Sequence, residues 1–153
     1  GNLAAAVSIA CAGEGGPSPA HQLLIYPILD CDLDRASMHT FSEGPILHRS
    51  HMAWFWDQYV PIVQDRCDWR ASPLRAQTPP TLPPATIILA ACDPLLDEGI
   101  AYATMLEDAG IPVSCIVGEH LTHGFVGMSA RVPAAQKILH DAVGMVAAAL
   151  NGE

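Results

Sequence analysis

Two titratable residues stand where apolar runs end. Asp93 closes the run in AACDPLLDEG (residues 90–99), and His123 lies in GEHLTHGFVGM (residues 118–128), beside a second histidine and before a Gly-Phe pair. An imidazole beside a buried carboxylate is fixed in one tautomer and stabilised when protonated, which is what a general base requires. A zinc reading of His120-x-x-His123 needs a third ligand and helical i, i+4 spacing, which a post-strand H-x-x-H lacks. A solvated loop histidine and a helix-capping aspartate are the plain alternative, and the pattern alone leaves it open.

The elements that position these residues can be read from period and punctuation. Residues 2–12 are apolar nearly all round, which predicts a buried helix. GEGGPSPA (13–20) stops it, because glycine and proline cannot continue a helix. HQLLIYPIL (21–29), ATIILAACD (85–93) and VSCIVGE (113–119) are short apolar runs, the mark of strands covered on both faces. Residues 97–110 open with two acids and close on Gly110 and Pro112, and 132–150 begins beside Pro133; both predict helices. Strands alternating with helices predict an α/β fold with an open, mostly parallel sheet, in which ligands bind beyond the carboxyl ends of the strands. Asp93 and His123, thirty residues apart, would share that rim.

Residues 30–80 differ in character: polar, dotted with prolines, and holding all three tryptophans. A 51-residue excursion is too long for a plain connection and predicts a job of its own. Within it, PILHRSHMAWFWDQYV (45–60) predicts a helix. DCDLD (30–34) imitates a calcium loop, but Arg35 and Phe41 stand where Gly and Glu are needed, and calcium is rejected. His21, His39, His48, His51 and His140 read as surface or structural residues.

Bulk composition excludes several classes. The 153 residues suit one domain with a proper core, and 50% are apolar. The net charge of −9 repels phosphate backbones and anionic membranes, so no nucleic acid partner is expected. No apolar run reaches the roughly 20 residues of a membrane span. Five scattered cysteines without a C-x-x-C pair read as reduced thiols in a cytoplasmic protein. LAAAVSIACAG near the start imitates an export signal but lacks an initiator Met and a basic region, and the chain reads as part of something longer.

DPLLDEGIAYATMLEDAGIPVSCIVGEHLTHGF resembles the C-terminal part of the hormone-sensitive-lipase-like carboxylesterases of the α/β-hydrolase superfamily. The shared pattern is D-P-L-x-D-E-G, an A-G-x-P turn, a strand and H-G-F. LPPATIILAACD and LLIYPILD match two strands of that family, and GNLAAAVS the helix after its nucleophile motif G-D-S-A-G-G-N. The resemblance covers essentially the whole chain and implies one partial catalytic domain over 1–153, the C-terminal half of an α/β-hydrolase fold with three strands and the 30–80 insertion between two of them.

Carried over residue by residue, the family's triad acid falls on Asp93 and its base on His123. The nucleophilic serine and the H-G-G-G loop that supplies oxyanion-hole donors have no counterpart in these residues, and Ser8, inside the first helix, cannot replace the serine. The implied chemistry is acyl transfer to water from a small-molecule ester, with no cofactor and no metal. Asp30, at the end of the first strand, is the rival acid; Asp93 is favoured because it stands in the family's motif. Trp54, Leu95 and Phe125 are candidate walls of the substrate pocket, with packing as the alternative for the aromatic helix. Asp97 and Glu98 are expected at a helix N-terminus in a structural role.

Alone, the chain is expected to be inactive. Residues 21–29 should form a bare strand edge, and such edges pair with something. A missing N-terminal half, covalent or separate, or a second copy in a homodimer is the expected partner. Two other functions remain: a hydrolase fold reused to bind a small ligand without chemistry, and an amidase or peptidase of the same superfamily.

Overall fold

A computed structural model describes residues 1–14, 16–77 and 81–151. Gly15, within the expected helix stop, and Thr78–Pro80, within the proline-rich TPPTLPP, lie outside the described residues. Three parallel strands form one sheet in the order β1-β2-β3: β1 is Gln22–Ile25, β2 Ala85–Cys92 and β3 Val113–Thr122. Leu24 pairs with Ile87, and Ile87 with Cys115. The helices are α1 (Asn2–Glu14), α2 (Ala36–Thr40), α3 (Arg49–Tyr59), α4 (Leu96–Asp108) and α5 (Pro133–Asn151).

Two apolar layers hold the sheet. On one face, Ala5 and Ile9 of α1 and Tyr102, Ala103 and Leu106 of α4 pack on Leu24, Ile87 and Leu89. On the other, Ala135 and Ala142 of α5 meet Ile88 and Ala90, with Phe125 beside them. β2 is covered on both faces, as its unbroken apolar run requires. β3 departs from the expectation, with only Gly118 buried and Cys115 and Val117 exposed, and so does β1. β1 alternates, with Leu24 buried and Leu23 exposed, because α5 packs over β2 and β3 while Leu23 points to that face one strand further out.

α1 is also a correction. Ala5, Ala6 and Ile9 face inward, but Leu3 and Val7 are exposed, so a helix apolar all round is buried on one side only. At its start, a Cβ on Gly1 would lie 2.5 Å from Pro27 Cβ and 2.8 Å from Pro27 Cα, so only glycine fits where the helix meets the chain leaving β1.

Residues 30–77 fold into α2, α3 and two 3₁₀ turns around a small core of Met38, Leu47, Met52, Trp56 and Ala71, which Leu95 joins from the start of α4. α3 starts at Arg49, after an N-cap at His48, so Pro45 precedes it. Among the described residues no helix is long and apolar enough to cross a membrane.

Candidate active site

Asp93 follows the last residue of β2, and His123 the last residue of β3. The strands are parallel neighbours, so both side chains emerge at one edge of the sheet. His123 Nδ1 lies 2.8 Å from Asp93 Oδ2. The carboxylate is 1% exposed and the imidazole 23%. The other carboxylate oxygen, Oδ1, accepts the Leu95 N–H at 3.0 Å. Both oxygens are engaged, as a buried carboxylate requires. A carboxylate only accepts, so the bond places a proton on Nδ1 and leaves the Nε2 lone pair free for another group.

The loop carrying His123 is built from its neighbours. Gly124 has φ +79°, a left-handed turn that a side chain would strain, and Phe125 is buried against Ile88 and Ala90 as the anchor of the following 3₁₀ turn. Burying that ring contributes about 2–3 kcal/mol. H-G-F is thus an imidazole, a hinge and an anchor in succession.

Tyr26 is a site residue that sequence reasoning missed. Its ring packs on the His123 imidazole with centroids 4.4 Å apart and on Phe125 at 5.9 Å. Its backbone sits at φ +32°, unfavourable for a side-chain-bearing residue, while its N–H still bonds Ile88 O at 2.6 Å. Burial, and then the Asp93 charge, push the phenol above its ordinary value, so it stays a neutral O–H. A tyrosine at the end of an apolar run gives no sequence signal that distinguishes this role from packing.

D-P-L-x-D-E-G is accounted for position by position. Pro94 O accepts the Ser37 hydroxyl at 2.7 Å, and Asp97 Oδ2 accepts the Ser37 N–H at 2.8 Å, together fastening α2 to the start of α4. Glu98 Oε1 accepts the Leu29 N–H at 2.8 Å. Glu98 stands in the first turn of α4, as expected, and is wholly buried there, so burial pushes its carboxyl well above the ordinary range. Gly99 admits Leu89: a Cβ there would meet Leu89 Cδ2 at 2.3 Å.

Asp30 has different partners. Arg35 Nη2 donates to Oδ2 at 2.7 Å, and Arg75 Nε and the Cys31 N–H donate to Oδ1 at 2.6 and 2.9 Å. Burial pushes this carboxyl up, but the two guanidinium bonds outweigh it and hold the group below its usual value. Its neighbours in DCDLD are engaged elsewhere: Asp32 caps the Asp34 N–H, and Asp34 pairs with Arg49.

The candidate wall residues are not brought together. Leu95, 1% exposed, joins the core under α3. Phe125 is equally buried under α5. Trp54 is 58% exposed and meets Phe55 edge to face, while Trp56, two residues on, is the buried indole. An apolar cleft of about 180 Å³ does exist, lined by Leu3, Ile28, Met52, Phe55, Trp56 and Tyr59 with Asn2 at its end. The Asn2 amide donates to Ile28 O and Ala71 O at 2.9 and 2.8 Å, joining α1 to the insertion.

Comparison with known proteins follows the same lines. The sequence pattern of the family described as alpha/beta hydrolase fold matches residues 1–127. An ethyl acetate hydrolase of Pseudomonas putida is 37% identical over 120 residues, 78% of this chain and 38% of that protein. A carboxylic ester hydrolase of Mycobacterium tuberculosis is 41% identical over 116 residues, 75% of this chain and 31% of that one. Among solved structures, a metagenomic ester hydrolase from Lake Arreo, complexed with a phosphonate derivative, superposes with TM-score 0.91 at 39% identity, covering 98% of this chain and 48% of that one. The chain therefore spans between about a third and a half of the length of these relatives.

Proposed function

The chain belongs to the alpha/beta hydrolase fold family, and on that premise we propose that it is the part of a carboxylic ester hydrolase that supplies the acid and base of a Ser-His-Asp site. The observation that carries this reading is the 2.8 Å bond between His123 Nδ1 and Asp93 Oδ2 at the carboxyl edge of the sheet. The nucleophilic serine and the oxyanion donors come from a segment outside this sequence. That segment also covers the free edge of β1.

In the reaction, His123 Nε2 accepts the serine hydroxyl proton as the oxygen attacks the ester carbonyl. Asp93 holds the ring through Nδ1–H and stabilises the imidazolium. The proton then passes to the departing alkoxide, leaving an acyl-enzyme, and water repeats the two steps on the acyl carbon. The cleft at the first turn of α1 has an apolar wall, which supports an apolar portion of the ester over a charged one.

In the full-length protein, His123→Ala is expected to lower kcat for p-nitrophenyl esters by a factor of order 10⁴. A fluorophosphonate should label the parent covalently. Undiminished turnover by the variant refutes the base assignment. A parent that binds ester without turnover and takes no label is a binding module instead.

A further inference from the structure

Outside this site, two of the five free cysteines face each other. Cys31, in the extended segment between β1 and α2, and Cys67, the last residue of the 3₁₀ helix Val63–Cys67, have sulfurs 3.9 Å apart across 36 residues of sequence. Cys67 is exposed and Cys31 partly so. The 3₁₀ helix that carries Cys67 has no buried side chain, so the sulfurs can close the roughly 2 Å that remain before a bond without disturbing a core. Burial pushes the Cys31 thiol above its ordinary value, against the Ser72 side chain and the charge of Arg75, so exposed Cys67 is the sulfur placed to react first.

We propose that Cys31 and Cys67 are a dithiol modification site that takes a small-molecule disulfide of the glutathione class and ends as an intramolecular disulfide. The Cys67 thiolate, the one a solute meets first, attacks one sulfur of the reagent. The reagent's S–S bond breaks and one small thiolate leaves. The Cys31 thiolate then attacks the Cys67 sulfur and expels the second small thiolate. The protein has lost two electrons and two protons, and the reagent has become two thiols. A metal reading of the same pair is weaker. Among the described residues no three metal-binding side chains cluster, and the nearby Arg75 charge repels a cation. The bond closes a loop around α2 and α3, and so fixes Met52, Phe55, Trp56 and Tyr59, which line the apolar cleft.

The test is incubation of the full-length protein with glutathione disulfide, followed by thiol titration and peptide mapping. Two thiols per chain should be lost, with a Cys31–Cys67 crosslinked peptide. Cys31→Ser should instead accumulate one glutathione on Cys67, and Cys67→Ser should form no crosslink. Four results overturn the proposal: both thiols still free, a glutathione adduct on Cys67 that persists in the parent, a crosslink through Cys11, Cys92 or Cys115, or stoichiometric zinc held by the reduced protein and lost in either variant. None of these readouts depends on ester turnover.

Discussion

Asp93 touches His123 with one oxygen and the N–H of Leu95 with the other, so the carboxylate that orients the imidazole is itself held by the turn that starts α4. Asp30, five residues beyond the end of β1, spends both of its oxygens on Arg35, Arg75 and the Cys31 N–H. The two aspartates should therefore fail differently. In the full-length enzyme Asp93→Asn is expected to cut kcat by roughly 10⁴, because an amide lets the imidazole take the wrong tautomer. Asp30→Asn should leave kcat within about tenfold but lower stability by about 1–3 kcal/mol, since it strands two half-exposed guanidinium groups. Parallel kinetics and denaturant unfolding of the two variants check this; a catalytic collapse in Asp30→Asn would exchange their roles.

Tyr26 meets His123 through its ring, at a backbone angle few tyrosines adopt. Tyr26→Phe keeps the ring and should retain kcat/KM within about twofold. Tyr26→Ala frees the imidazole to rotate and should lower kcat/KM by about tenfold, equal to about 1.4 kcal/mol. Ring-proton NMR linewidths of His123 in each variant separate positioning from simple loss of packing, because only a rotating imidazole exchanges between environments. Equal kinetics for Phe and Ala would remove the ring from the mechanism.

The strand that carries Asp93 can be read from the sequence because it ends where an unbroken apolar run meets a charge. β3, expected over 113–119, instead runs on through Glu119 and His120 to Thr122, since its pairing with β2 and not its hydropathy sets its end. Other features depend on packing. Trp54 and Trp56 differ by about 200° around α3, and which indole turns inward depends on Met38, Leu47 and Leu95, brought there from elsewhere in the chain. The exposed side of β1 follows from the reach of α5, which no local pattern encodes. Leu95 and Phe125 flank the two polar residues in sequence, yet side chains beside a strand end point away from the rim as readily as toward it, and these two point into the core.

Gly99 stands where α4 leans on β2, and a methyl group there would overlap Leu89 Cδ2 at 2.3 Å. Leu89 is buried among Tyr102, Ala103 and Leu106 and has little room to retreat. Gly99→Ala should therefore destabilise the fold by about 1–3 kcal/mol despite the better helix propensity of alanine, which favours it by nearly 1 kcal/mol. Urea unfolding of the variant decides the sign. A stabilised Gly99→Ala would mean that Leu89 swings clear.

Glu98 gives the fold a pH dependence opposite in sign to that of Asp30. Burial raises its folded-state carboxyl above the ordinary 4.5; the Leu29 N–H opposes that, the Asp30 charge adds to it, Arg35 opposes it and Asp93 adds to it. A raised folded value means that the stability is fully present below the ordinary 4.5 and is lost as pH rises above it through the raised folded-state value, because folding must then hold the proton or bury the charge. Asp30, with its lowered value, contributes above the ordinary 3.8 and loses stability as pH falls below it, so the two windows do not overlap. Glu98→Gln keeps the acceptor for the Leu29 N–H and cannot ionise. Its stability should match the parent within about 1 kcal/mol near pH 5 and exceed it near pH 8. Denaturant unfolding at a series of pH values checks this: the curves must converge on the acid side and part on the alkaline side, and parallel curves would mean that Glu98 is not the group that takes up the proton.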